Sequence, residues 1–437
     1  MKHITIIGSC LAAALTLAGC RVEDSGPSPL LRAALAESAG REPAPDQYDA
    51  RGPNGKIALP QRKKDWTVLV YMDGDNNLSP FSTEDVKEMT ETGSGARLNI
   101  VLLWDNDPSQ DGPGAQNRHG YYYVEKRGAA LLKDAGEVNM GDPKTAKDFI
   151  DFAAANFPAD HYLWIWWNHG GAVDRSAPAR GIAWDDTSGG DHITEIEQKD
   201  IMIHLKKRIG KKVDIVGFDA CLMATAEIAY QYADAASYLA ASEQTEPGSG
   251  WDYRFLSKLA ANPAQAARTL AKTILTYYKN YYTARKEDDV TFSVFNLAYA
   301  KAFAGSLDGF CRAALAGGGA GTYRPLSKDL GMFGVYPDGG REGYYTKDLY
   351  AYLSAVRDSA IIPAAVRGKA EACMKVILDR KFIVSEWHGT AWKDEAFGVS
   401  ITLKRATEIY RSLEICGATQ WDEFLNWAGF PDNDYAY

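Results

Sequence analysis

Four short, nearly unbroken apolar runs constrain this chain more than any other feature: WTVLVYM (66–72), LNIVLLW (98–104), HYLWIWW (161–167) and KVDIVGF (212–218). A strand with one wet face alternates apolar and polar residues. A run without that alternation has both faces covered, as strands inside a parallel sheet do. Stretches of helical period separate the runs: SPFSTEDVKEMTE after the first, DPKTAKDFIDFAAANF before the third and TEIEQKDIMIHLKKRIG before the fourth. Each begins near Asp, Ser or Thr, the residues that cap helix N-termini. Strands alternating with helices predict an α/β fold with a mostly parallel sheet and helices on both faces. ASYLAAS (236–242) is a fifth strand of the same unit.

From Pro263 the pattern turns helical, with PAQAARTLAKTILTYYKNYY as a long amphipathic stretch. VTFSVFN (290–296) and FGVSITL (397–403) are later strand candidates, and AGGGAGTY reads as a loop. The expected organisation is a leader over 1–19, a tether over 20–64, an α/β domain over 65–260 and an α+β extension over 261–437. At 437 residues and 46% hydrophobic content, the chain can bury a substantial core. A formal charge of −9 argues against nucleic acid or an anionic membrane surface as partner, since phosphate binding needs a basic patch.

At the N-terminus Lys2 and His3 precede ITIIGSCLAAALTLAG, too short for a lasting membrane span, and the run ends in Leu17-Ala18-Gly19-Cys20. This resembles the lipobox of bacterial lipoproteins. The resemblance implies cleavage before Cys20, lipidation of its thiol and export, with the membrane reached only through that anchor. The simpler alternative is a secretory signal in which Cys20 is incidental. Cys221, Cys311, Cys373 and Cys416 then remain, too scattered for a disulfide framework and without a C-x-x-C zinc spacing.

In a parallel sheet, functional groups gather at the carboxyl ends of the strands. His169 lies just past the third run and Cys221 just past the fourth, followed by LMATAEIAYQY, which reads as a helix. A thiol at a helix N-terminus favours its thiolate, and a thiolate beside an imidazole is the minimal apparatus for acyl transfer. Gly170 and Gly171 allow a substrate backbone to approach, and the N–H groups of Gly170 and Cys221 are candidates for an oxyanion hole. The structural alternative is a packed, inert cysteine and an incidental histidine.

LVYMDGDNNL, WIWWNHGG, GIAWDDTSGGDHIT, DIVGFDACLMATAE and SEQTEPGSGWDY, in this order, resemble the clostripain family of cysteine peptidases, which belongs with the gingipains, legumain and caspases. The resemblance covers about residues 66–253. It implies a caspase-like three-layer sandwich, His169 as catalytic base and acid, and Cys221 as nucleophile. It also implies cleavage after Arg or Lys through acidic S1 residues, for which Asp219 and Asp252 are the candidates. Asp219 could instead cap the helix after Cys221. Glu243 and Glu246 read more simply as solvated loop residues. Relatives mature by cleavage between the His and Cys segments, and Arg175 and Arg180 in that interval are the candidate processing sites.

Asp73, Asp75, Asn77 and Glu84 occupy positions 1, 3, 5 and 12 of a calcium loop. Leu78 at position 6 and the preceding strand argue against an EF-hand, so calcium is possible for a relative of this family but not assignable to residues. Asp185-Asp186 are adjacent and point apart in extended chain, unlike a glycosidase pair. His161, His169, His192, His204 and His388 show no metal-ligand spacing, so no metal is expected. Two other functions fit the same residues: a silent α/β lipoprotein binding peptide or glycan through its aromatics, and a transpeptidase or amidase sharing the acyl-enzyme step.

Overall fold

The computed structural model describes residues 51–52, 55–111, 116–171, 181–334 and 346–431. The leader, Cys20, Arg175 and Arg180 lie outside the described residues. The strands are β1 (Lys64–Gly74), β2 (Leu98–Asn106), β3 (Gly120–Glu125), β4 (Gly128–Asp134), β5 (Ala159–Trp167), β6 (Ile182–Asp185), β7 (Asp191–Ile193), β8 (Val213–Asp219), β9 (Ala236–Ala241), β10 (Thr291–Asn296), β11 (Thr346–Asp348), β12 (Ile383–His388) and β13 (Ser400–Thr402). Nine of them form one sheet in the order β12-β10-β9-β8-β5-β1-β2-β3-β4. Its centre, β2-β1-β5-β8-β9, is parallel throughout, and antiparallel pairs close both edges.

Side chains on successive strand residues go to opposite faces, so each apolar run feeds two cores. Tyr71, Trp164, Trp166 and Phe218 pack on one face, against the helices Pro143–Asn156, Glu195–Ile209 and Ala300–Gly317. Val70, Ile165, Trp167 and Ile215 pack on the other, against the helices Ser79–Thr92 and Ala267–Arg285. The result is three layers. Full burial of each such side chain contributes about 1.5–3 kcal/mol before entropy is counted.

Local signals set the helix ends. Asp142 accepts from the Lys144 N–H ahead of Pro143, and Thr194 with Glu197 forms a reciprocal capping box that ends at left-handed Gly210. The expected boundary near residue 260 does not interrupt the architecture: β10 and β12 extend the sheet, and residues from Leu69 to Phe430 share one core. FGVSITL yields only the three-residue β13, which pairs with β11 in a separate two-stranded sheet. The stretch after Cys221 also departs from expectation. Leu222 takes a left-handed φ of 65°, and the helix begins only at Ala226, capped by Thr225. Cys221 therefore does not sit at a helix N-terminus.

Candidate active site

Trp167 on β5 and Asp219 on β8 are register partners in adjacent parallel strands. The chain runs two residues past each partner to His169 and Cys221. The contact between these tips is close: a Cβ built on Gly170 would lie 2.2 Å from the Cys221 carbonyl oxygen and 3.0 Å from its nitrogen. Only glycine fits there, which gives the NHGG sequence a physical reason.

His169 is 7% exposed, and its Nε2 lies 2.7 Å from Asn77 Oδ1. With the amide oxygen accepting, the ring carries its proton on Nε2 and presents Nδ1 as the base. Nδ1 is buried without a hydrogen-bond partner among the described residues. Burial pushes the His169 pKa down to about 4, so the imidazole is neutral at physiological pH. Asn77 sits just beyond β1, where the sequence offered a calcium-loop pattern rather than a histidine partner.

The Glu246 N–H donates to the Cys221 sulfur at 3.2 Å. This donor is positioned to stabilise a thiolate, without a helix terminus. Cys221 is 0% exposed and packs with Leu222, Phe333, Trp392 and Ala396; the Phe333 and Trp392 rings are 4.5 Å apart. Cys221 is therefore covered by later chain.

Beside His169 and Cys221, Leu78, Trp167, Asp219, Glu246, Pro247, Gly248 and Gly250 line a small open-sided cleft of about 20 Å³. Asp219 is 5% exposed, its Oδ2 accepts from Tyr253 Oη at 2.8 Å, and burial raises its pKa to about 7. Gly250, at a φ of 50°, brings its backbone against that carboxylate, where a Cβ would lie 2.5 Å from Oδ1. The Glu246 carboxylate is buried beside Asp219 and Trp251; burial, then the charges of Asp219 and Cys221, raise its pKa strongly. Asp85 stands behind the cleft, its Oδ2 accepting from Trp167 Nε1 at 2.6 Å.

Asp252 does not line this cleft. It caps the turn Tyr253–Phe255 and pairs with Arg254 at 2.7 Å, so its charge is already matched. Glu243 and Glu246 are buried rather than solvated, and Glu243 accepts from the Gly398 N–H at 3.0 Å. Glu84 is exposed on a helix and Asn77 is committed to His169, which removes the EF-hand arrangement. Cys311, Cys373 and Cys416 are free thiols whose pKa values burial raises, that of Cys373 to about 12.

A histidine and a cysteine at the tips of adjacent central strands, in a three-layer sandwich with a mostly parallel sheet, define the caspase-like class of folds. Residues 70–357 match the sequence profile of the clostripain family, peptidase family C11, and the chain belongs to that family. Clostripain of Hathewaya histolytica is 35% identical over 216 residues, covering 43% of this chain and 40% of that protein. The match thus spans about two fifths of that relative's length. Two solved structures share the fold. One is an inactive zymogen C11 protease from Parabacteroides distasonis (18% identity, TM-score 0.60, 82% of this chain and 99% of that one). The other is a secreted C11 cysteine protease from Bacteroides thetaiotaomicron in complex with an irreversible peptide inhibitor (19%, TM-score 0.61, 82% and 99%).

Proposed function

We propose that the chain is a cysteine endopeptidase that cleaves peptides after Arg or Lys by acyl transfer. The observation that carries this reading is the meeting of Cys221, the base-presenting His169 and the acidic Asp219–Glu246 cleft at the tips of two paired strands. In this reading His169 Nδ1 takes the Cys221 proton as the sulfur attacks the scissile carbonyl. The Gly170 and Cys221 N–H groups receive the developing oxyanion. The imidazolium then protonates the leaving amine, and a water activated by the same ring releases the acid and restores the thiol. An arginine or lysine side chain entering the cleft would pair with Asp219 and Glu246, which lack a cation of their own among the described residues.

Two further parts of the reading concern maturation and location. Gly171 N–H donates to the Gly181 carbonyl at 3.2 Å, so the two residues that flank 172–180 meet beside the dyad. That closeness supports self-cleavage after Arg175 or Arg180 with both pieces held in one sheet. The lipobox-like leader supports export with a lipid anchor at Cys20, on protein or peptide substrates outside the cytoplasm.

A positional scan of fluorogenic peptides on the mature protein and on Cys221→Ala tests the proposal. Cleavage after Arg or Lys by the wild type alone supports it. Wild-type turnover by Cys221→Ala removes it, and an acidic or apolar preference removes the specificity.

A further inference from the structure

Gln244 lies on the loop that leaves β9, two residues before Glu246, and is 1% exposed. The peptidase reading leaves it without a role, yet each of its polar atoms is engaged. Its carbonyl accepts the Leu222 N–H at 3.2 Å and Ser242 Oγ at 2.8 Å, and its own N–H donates to Thr291 Oγ1 at 3.0 Å. In the side chain, Oε1 accepts the Thr245 N–H at 2.9 Å and the Gly334 N–H at 2.8 Å, while Nε2 donates to Asp289 Oδ1 at 2.8 Å. The reverse orientation of the amide would set its NH2 against two N–H groups and its oxygen against a carboxylate, so one orientation fits.

These bonds converge on the nucleophile from two sides. The Gln244 carbonyl holds the N–H of Leu222, the residue after Cys221, in its left-handed turn. The Thr245 bond folds the side chain back over the turn leading to Glu246, whose N–H reaches the Cys221 sulfur at 3.2 Å. The Glu246 carbonyl faces the same sulfur at 3.8 Å. That oxygen takes the proton of a thiol, whereas the N–H favours a thiolate, so the tilt of this turn sets the balance between the two forms. Both outer anchors of the amide come from beyond residue 260. Asp289 precedes β10 and also accepts Trp392 Nε1 at 2.8 Å, and Gly334 follows Phe333, so the residues that pack on Cys221 hang from the same network.

We propose that Gln244 is a positioning residue for the nucleophile: its amide braces the turn that aims the Glu246 N–H at Cys221 and ties that turn to Asp289 and Gly334. This role rests on Cys221 as the reacting thiol, as read above, and adds the residue that holds its thiolate donor in place. It also gives the second half of the chain a part in the chemistry as well as in the core.

The test follows alkylation of Cys221 by iodoacetamide in the full chain from about pH 5 to 10, with peptide mapping to count that thiol alone. Gln244→Ala should slow labelling about tenfold near pH 7 and move the profile about one pH unit higher, with the wild-type rate regained once the thiol is fully ionised. Asp289→Ala frees Nε2 and leaves Gln244 in place. It should move the profile the same way by a smaller step, and it carries the test if Gln244→Ala does not fold. Asp289→Asn keeps an acceptor oxygen and should label like the wild type. An unmoved profile overturns the proposal, and so does a rate changed by one factor at every pH, which marks altered access alone. If the profile moves as expected in a protein that cleaves no arginyl or lysyl peptide, the specificity reading falls and this role stands. Cleavage of those peptides with an unmoved profile gives the reverse.

Discussion

His169 and Cys221 follow the Trp167–Asp219 strand pair by two residues, and burial acts on His169 and on the acidic cleft beside it in opposite senses. At the dyad, burial holds the imidazole neutral by lowering its pKa to about 4. In the cleft, burial raises Asp219 to about 7 and Glu246 well above its ordinary range. A neutral imidazole can accept the thiol proton. A desolvated carboxylate pair gains most when a cation arrives. One desolvated edge can thus supply both the base and the selectivity.

Asp219→Asn is expected to have the largest effect that separates the two regions. Cleavage after Arg or Lys should fall about tenfold to a thousandfold, with neutral P1 peptides affected much less. Equal losses for both substrate classes, measured as kcat/KM, would instead assign Asp219 to the dyad. Asn77→Ala addresses the other region. Freeing the ring should lower kcat about tenfold to a hundredfold with KM nearly unchanged and shift the acid limb of the kcat–pH profile. A raised KM with an unchanged pH profile would show that Asn77 only packs.

The smallest effect lies in stability against pH. His169 titrates near 4 folded and about 6.5 unfolded, so the unfolded chain binds more protons between these values. Its contribution is complete above about pH 6.5 and is lost as pH falls through that window. Asp219, at about 7 folded against 3.8 in its ordinary state, contributes the opposite slope, with stability declining as pH rises toward 7. Each slope is at most about 1.4 kcal/mol per pH unit. Denaturant unfolding from pH 4 to 7 should show His169→Gln tilting the profile one way and Asp219→Asn the other. Parallel tilts would break the comparison.

The five central strands were legible because both of their faces are buried, which leaves unbroken apolar runs. The hairpin of β3 and β4 was not: β4 is an edge strand with mostly part-exposed residues, and GAALLKD carries no alternation. β12 ends in SEWH, part-exposed and equally indistinct. LMATAEIAYQY has helical apolar content throughout, yet the left-handed turn at Leu222 delays the helix, a choice enforced by pairing of its backbone with residues 242–244. His169 and Cys221 could be named because strand ends are local features. The burial of Glu243 could not be read, since a residue as distant as Gly398 packs on it. Asn77 and His119 likewise acquire their partners 92 and 14 residues away.

The central claim is that Cys221 alone among the four described thiols is activated, by the Glu246 N–H and His169. Peptide mapping after reaction with an arginyl peptide carrying a thiol-reactive electrophile measures this directly. The account predicts one adduct, on Cys221, strongly reduced in His169→Ala and in Asp219→Asn. An adduct on Cys311, Cys373 or Cys416, or undiminished labelling of Cys221 without His169, would contradict it.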